Sequence, residues 1–185
     1  MPITREEALA ILHEFTHNEN LRKHAYAVEA AMRAYARKLG EDEQQWGLVG
    51  LLHDFDWEVH PTIPDHPVKG AEILRERGVP EDTIQDILSN APHTDVPRDT
   101  PIRKALFAVD ELTGFIVATA LVRPSRSLSD LKAKSVRKKM KDKSFAAAVS
   151  REDITQGAEA LGVEMGEHVQ FVIDAMKQVS AELGL

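Results

Sequence analysis

Residues 48–54 read LVGLLHD, an unbroken apolar run that ends in a histidine and an aspartate. A run of this kind is typical of a buried helical segment. An ionised carboxylate that leaves a buried helix needs a compensating partner, and a cation is one such partner. By itself, however, such a pair is more often a packed histidine followed by a turn-capping aspartate. Polar side chains elsewhere in the chain must decide between a metal site and local packing.

The rest of the chain shows helical rather than strand periodicity. Spacings of three and four trace one face of a helix that Gly40 ends, formed by Leu21, Ala25, Val28, Met32, Tyr35 and Leu39. A second stripe lies on a long helix from Ile102 that Pro124 ends, formed by Leu106, Val109, Thr113, Ile116 and Ala120. Further helices are predicted over about 41–54, 66–78, 80–90 and 151–161, in the basic segment, and finally over 165–179. We find no strand alternation, and the predicted class is all-α.

Composition limits the compartment and the kind of metal site. No run approaches the roughly 18 to 20 apolar residues of a membrane span, and the N-terminus lacks the pattern of a signal peptide. A cytoplasmic protein without a membrane partner is therefore expected. The absence of cysteine excludes disulfides and thiolate ligands, so any metal must be held by imidazole and carboxylate. This donor set favours Fe, Mn, Mg, Co or Ni over a structural zinc.

Charge is unevenly distributed along the chain. The net charge is −7, yet residues 123–143 contain nine basic and two acidic side chains, which leaves the remainder near −14. The acidic total argues against nucleic acid as a partner, and Phe145 alone supplies no stacking platform. The basic segment fits either the tail of a phosphorylated small molecule, such as a nucleotide, or a solvated cationic face.

Two further polar residues lie on the apolar stripes. His24 is three residues after Leu21 on the inward face of its helix, and Asp110 is four residues after Leu106 on another helix. Two carboxylates and two histidines that face one interior are most simply explained by a shared metal ion. The order His24, His53-Asp54, Asp110 resembles the H…HD…D signature of the HD superfamily, and the likeness covers roughly residues 20–120.

The resemblance implies a fold and a ligand set. The implied fold is a helical bundle in which these four side chains bind a divalent metal. Residues 1–185 would form one domain, with a core of about 20–120 and a C-terminal helical extension of about 125–185. In the two-metal branch of the superfamily, Asp54 would bridge two ions and His66 and His93 would complete the second site. From the residues alone, a histidine at a helix start and one in a proline-rich loop are more typical of the surface.

Several other side chains are candidates for catalysis or substrate binding. The pair is followed by Phe55-Asp56 instead of the Ile-Gly of the commoner HDIG form, so Asp56 and Glu58 are acidic groups near the site. Each could position a ligand, act as a general base, or be a solvated loop carboxylate. The candidates for contact with a phosphate are Lys69, which could also serve catalysis, Lys104, Arg123 and Lys134. Trp46 and Trp57 are expected to pack beside the site, and His13, His17 and His168 to be structural or surface residues.

The resemblance implies hydrolysis of a phosphoester or phosphoanhydride bond in a nucleotide or related metabolite, with a metal-bound hydroxide as the attacking group. The chain has no glycine-rich phosphate loop, serine elbow or Cys-His pair that would support another route. Two alternatives stay open: a di-iron oxygenase of the same superfamily, and a non-catalytic sensor that binds a nucleotide or a partner protein. The sequence does not indicate the substrate or the oligomeric state.

Overall fold

Helices account for all the regular structure of residues 3–185, the part of the chain that the computed structural model describes. The ten α-helices are α1 Arg5–Phe15, α2 Glu19–Leu39, α3 Glu43–Leu52, α4 Asp65–Glu76, α5 Glu81–Leu88, α6 Pro101–Leu121, α7 Ala133–Met140, α8 Arg151–Leu161, α9 Met165–Lys177 and α10 Ser180–Leu183, with a 3-10 turn at Pro92–Thr94. The all-α prediction is confirmed. None of these helices is both long and apolar enough to cross a bilayer.

The two 21-residue helices α2 and α6 form the centre of the fold. The side chain of Asn18 accepts hydrogen bonds from the first backbone N–H groups of α2, and Gly40 ends that helix in the left-handed conformation, as predicted. Helix α3 packs closely on α2, since a Cβ at Gly50 would lie 3.0 Å from the backbone of Glu29. This close approach fixes the end of α3, and with it His53, against α2.

Side chains of the N-terminal region hold the segment that follows α3. The Thr16 hydroxyl donates a hydrogen bond of 2.7 Å to the carbonyl of Phe55, and the Phe55 ring is buried. A carboxylate oxygen of Glu58 accepts from the backbone N–H groups of His17 and Asn18, both at 2.8 Å. The turn that carries Asp54 is therefore anchored to the junction between α1 and α2.

The C-terminal helices pack onto α6 and α2. Helix α8 crosses α6 so closely that a Cβ at Gly157 would lie 2.6 Å from the Cα of Ala108. His168 on α9 is buried, accepts from the Tyr35 hydroxyl at 2.6 Å and donates to the Ala108 carbonyl at 2.9 Å. Connected buried apolar side chains extend from α1 to α10, so the extension and the core share their interior.

One predicted boundary and one helix differ from the sequence-based prediction. The single last helix predicted through Val179 is interrupted there, because Val179 leaves the helical conformation and separates α9 from α10. The first helix, α1, was not predicted, although Thr4 and Glu7 form a reciprocal capping box at its start. The remaining helices begin and end within a few residues of the predicted positions.

Candidate metal centre

Four side chains from three parts of the fold converge between α2, α3 and α6. His24 lies on α2, His53 and Asp54 directly follow α3, and Asp110 lies on α6. One nitrogen or oxygen atom of each lies within 4.8 Å of the corresponding atom of the other three. Atoms bound to one ion at about 2.0–2.2 Å are at most about 4.4 Å apart, so the four ligands would need to move inward only slightly. The cluster therefore fits a divalent cation.

His53 provides the clearest test of that fit. Its side chain is fully buried, and its Nδ1 lies 2.8 Å from the carbonyl of Gly50, to which it donates. Its Nε2 is buried and forms no hydrogen bond of good geometry among the described residues, although carboxylate oxygens of Asp110 and Asp54 lie 3.4 and 3.5 Å from it. Buried ring nitrogens are normally satisfied, and a metal-bound histidine typically donates its other nitrogen to a carbonyl. The orientation and the unpartnered Nε2 of His53 are those of a metal ligand.

Asp110 is held from two sides. Its Oδ1 lies 2.9 Å from Nε2 of His24, and its Oδ2 accepts a hydrogen bond of 2.7 Å from the side-chain amide of Asn90. The other amide atom of Asn90, Oδ1, is buried without a partner. Asn90 was not singled out from the sequence, and its contact orients Asp110 so that Oδ1 faces the two histidines.

The charged groups of the cluster shift one another's pKa. Burial lowers the pKa of His53, but the adjacent Asp54 and Asp110 carboxylates outweigh it and raise the pKa to about 10. Burial also opposes the charge on His66, yet hydrogen bonds with Asp54 and Asp56 raise its pKa to about 9. Burial raises the pKa of Asp110, whereas His53 and His24 bring it well below its usual value. Without a cation, protons on the histidines balance the carboxylates, and a bound cation would replace them.

The metal-free protein should lose stability as the pH rises from about 6.5 to 9. Because the pKa values of His53 and His66 are higher in the folded chain than the ordinary value of about 6.5, the folded state binds more protons in this interval. Below pH 6.5 the two histidines contribute their full stabilisation of the folded state, and this stabilisation is lost as the pH approaches their pKa values in the folded chain. Urea unfolding in the presence of a chelator measures it. A free energy of unfolding that stays constant or increases over this range would contradict the charge balance, and saturating metal should flatten the profile.

Asp56 positions His66. One oxygen of its buried carboxylate lies 2.8 Å from Nδ1 of His66, and the other accepts from the backbone N–H of Gly70 at 3.1 Å. The second nitrogen of His66, Nε2, lies 3.3 Å from Asp54. The carboxylate of Asp56 is enclosed by these partners, so of the roles that the sequence left open for it, the geometry favours positioning a ligand over acting as a general base.

Replacing Asp56 by asparagine should weaken metal binding by about 10- to 100-fold, the usual cost of losing a group that orients a metal-binding side chain. An amide can accept from His66 or from Gly70, but its nitrogen leaves the other donor unpaired. Calorimetric titration with Mn²⁺ measures the affinity. Glu72→Gln, on the exposed side of α4, is the control and should leave affinity unchanged. Equal affinities for the two variants would exclude the positioning role.

The cluster opens into a cleft of about 410 Å³. Its wall is formed by residues of α2, α4, α5 and α6, by the segments that follow α3 and α5, and on one side by Ala148 and Val149 of the C-terminal extension. Glu111 also lines the cleft and accepts from the backbone N–H of Ser150 at 3.0 Å, which ties that wall to α6. A larger cavity of about 810 Å³ lies elsewhere, beside Arg5 and Arg33, and includes none of these ligands.

Several side chains predicted for the site lie outside the cleft. Glu58 accepts from the backbone N–H groups of His17 and Asn18 and does not line the cleft, so of the roles that the sequence left open for it, the structure favours a structural one over a general base. Arg123 pairs with Asp130 at 2.6 Å. No lysine or arginine of the described chain lines the cleft, so the structure does not bring to it the predicted phosphate-binding residues Lys69, Lys104, Arg123 and Lys134.

His93 is not among the four converging ligands. It lies in the 3-10 turn Pro92–Thr94 and does not line the cleft, and both ring nitrogens are buried without partners among the described residues. His66 does line the cleft. A second ion held by these two histidines stays a prediction.

The remaining singled-out side chains have local partners. Nε2 of His13 lies 2.7 Å from the Tyr26 hydroxyl, and the backbone N–H of His17 bonds to Glu58. Trp57 contacts the His66 ring edge to face at 5.0 Å and lines the cleft. Trp46 is buried and is not part of the cleft wall, so only one of the two tryptophans packs beside the site.

Comparison with known proteins gives one result. The family model of the HD domain matches residues 21–113, an interval that contains all four converging ligands as well as His66 and His93. No curated protein and no solved structure matches the chain.

Proposed function

The chain belongs to the HD domain family, and we propose that it is a metal-dependent phosphohydrolase that cleaves a phosphoester bond of a small metabolite. Members of this family are generally metal-dependent phosphohydrolases. The observation that carries the proposal is the buried, unpartnered Nε2 of His53, oriented by the Gly50 carbonyl toward two carboxylates. His24, His53, Asp54 and Asp110 would hold the ion.

The charge of the cleft supports a need for metal. Three carboxylates line it, those of Asp54, Asp110 and Glu111, and no lysine or arginine of the described chain does. A phosphate dianion would be repelled from such a surface. A divalent cation bound there lowers the pKa of a coordinated water molecule and offsets the charge of phosphoryl oxygens.

The protein's own residues orient the metal ligands and supply a group for proton transfer. The Gly50 carbonyl fixes the His53 ring, and the Asn90 amide fixes Asp110. Glu111 is half-buried beside Asp110, and burial raises the pKa of its carboxyl. We assign Glu111 the proton transfer of the reaction. Water adds to phosphorus and loses a proton, the P–O bond to the alcohol breaks, Glu111 donates a proton to the released alcohol, and the proton lost by the water restores Glu111. Trp57 and Val149 form apolar parts of the cleft wall.

The test is metal analysis followed by an activity screen. Protein purified without a chelator or a metal-affinity tag should contain about one ion per chain, and should release phosphate from phosphomonoesters when supplied with Mn²⁺, Mg²⁺, Fe²⁺, Co²⁺ or Ni²⁺. About two ions per chain would indicate a second metal site, held by His66 and His93. Oxygen consumption by an iron-loaded protein without phosphate release would overturn the proposal in favour of an oxygenase, and tightly bound metal without either activity would favour a sensor.

A further inference from the structure

Gly114 lies in the middle of α6 and has no packing reason to be glycine. Glycine inside a helix is less favourable than alanine and is usually explained by a close neighbour. An added Cβ would come within 3.0 Å of another atom at the other helical glycines of the described chain, which are Gly47, Gly50, Gly70, Gly157 and Gly166. At Gly114 it would meet nothing within 4 Å. The space above Gly114 is therefore open.

That space joins two cavities. Gly114 and His24 line both the cleft of the metal centre and a second cavity of about 290 Å³. We call the second cavity the annex; its apolar lining consists of Val117, Leu121, Leu183 and Leu185. Asn20 and Lys23 are the polar residues of its wall in addition to His24. A ligand could pass from one cavity to the other over Gly114 without meeting a side chain there.

One face of α6 leads from the metal centre into the annex. Asp110, Gly114, Val117 and Leu121 follow one another at spacings of four, three and four, so they share a face of the helix. The rise of about 1.5 Å per residue places Leu121 roughly 16 Å along the axis from Asp110. Leu121 is 43% exposed although it is a large apolar side chain. An apolar group in the annex would cover it.

We propose that the substrate is a phosphomonoester with an apolar alkyl or aryl leaving group, which crosses Gly114 and occupies the annex. The inference rests on the proposed phosphohydrolase function for the position of the phosphate. The apolar character of the leaving group is inferred from the annex wall, where aliphatic side chains predominate. A nucleoside has more polar groups than Asn20 and Lys23 can satisfy, so nucleoside monophosphates should be poorer substrates than alkyl phosphates.

The test is the binding of alkylphosphonic acids, from methyl to hexyl, to the metal-loaded full chain by calorimetry. Affinity should rise by up to about three- to fourfold per methylene in the wild-type protein until the annex is filled. Gly114→Leu should abolish this dependence on chain length. Gly114→Ala should reduce it while raising the melting temperature by about 2–4 °C, because alanine favours the helix and a Cβ has room there. Leu121→Gln, at an exposed position that folding tolerates, should also reduce it.

Ala160→Leu is the control, since it adds the same side chain to an exposed position of α8 and should keep the wild-type dependence. Affinity independent of chain length in the wild-type protein, or the same dependence in Gly114→Leu, would overturn the inference. Hydrolysis of the matching alkyl phosphates is measured separately. Chain-length-dependent binding without phosphate release would support the role of the annex and contradict the proposed function. Phosphate release with no dependence on chain length would support the proposed function and contradict the role of the annex.

Discussion

Asp110→Asn should lower metal affinity by more than about 100-fold and abolish phosphate release with it. Loss of a supporting contact usually costs 10- to 100-fold in affinity, and Asp110 is proposed as a direct ligand. The substitution removes one of the carboxylates that face the unpartnered Nε2 of His53, at 3.4 Å. It also reduces the negative charge that attracts a divalent cation. Calorimetric titration measures the affinity, and a phosphate assay follows the activity.

The folded structure should survive this substitution, which makes the loss interpretable. The asparagine oxygen can still accept from Asn90, and its amide can face Nε2 of His24. In the wild-type protein, metal at 100 times its dissociation constant should stabilise the fold by about 2.7 kcal/mol. The variant should show almost none of this gain. Asp174→Asn, at an exposed position of α9, should behave as wild type, and an Asp110→Asn protein that binds metal within threefold of wild type would place the ion elsewhere.

The predictable part of the site is the part that helical periodicity controls. His24 and Asp110 lie on apolar stripes of α2 and α6, so their inward direction follows from the spacing alone, and the structure brings them to 2.9 Å. His53-Asp54 follows the apolar run of α3 that Gly50 packs against α2. Here local pattern and tertiary packing agree, because the same apolar faces that form the core direct the polar side chains.

The parts that were missed depend on contacts between distant segments. Glu111 next to Asp110 has no place in the apolar stripe, and its partner, the N–H of Ser150, lies 39 residues further along the chain. The closing of the cleft by Val149 likewise has no local signature. None of the four basic residues that the sequence suggested for phosphate binding lines the cleft. Only Lys134 lies on α7, and the loop after α7, not α7 itself, approaches the metal centre. Charge along the sequence did not predict charge at the site.

Helix α8 packs on α6 next to the cleft, and Gly157 permits the close approach of the two helices. The helix begins at Arg151, directly after the residue whose N–H bonds to Glu111, so its position sets the wall formed by Val149. Because an added Cβ at Gly157 would lie 2.6 Å from the Cα of Ala108, any side chain must separate the backbones of α8 and α6. The wall of the cleft should therefore move whenever this crossing is disturbed.

Gly157→Leu should accordingly lower the free energy of unfolding by about 3 kcal/mol, at the upper end of the cost of overpacking, since backbone atoms and not a flexible side chain must give way. The melting temperature should fall by about 6–12 °C. Ala160→Leu, on the exposed side of the same helix, should change stability by less than about 0.5 kcal/mol. Thermal and urea unfolding measure both variants. Equal stabilities of the two variants would contradict the close crossing of α6 and α8. A loss of stability in Gly157→Leu alone, together with a higher KM for the substrate, would show that the C-terminal extension shapes the cleft as well as the fold.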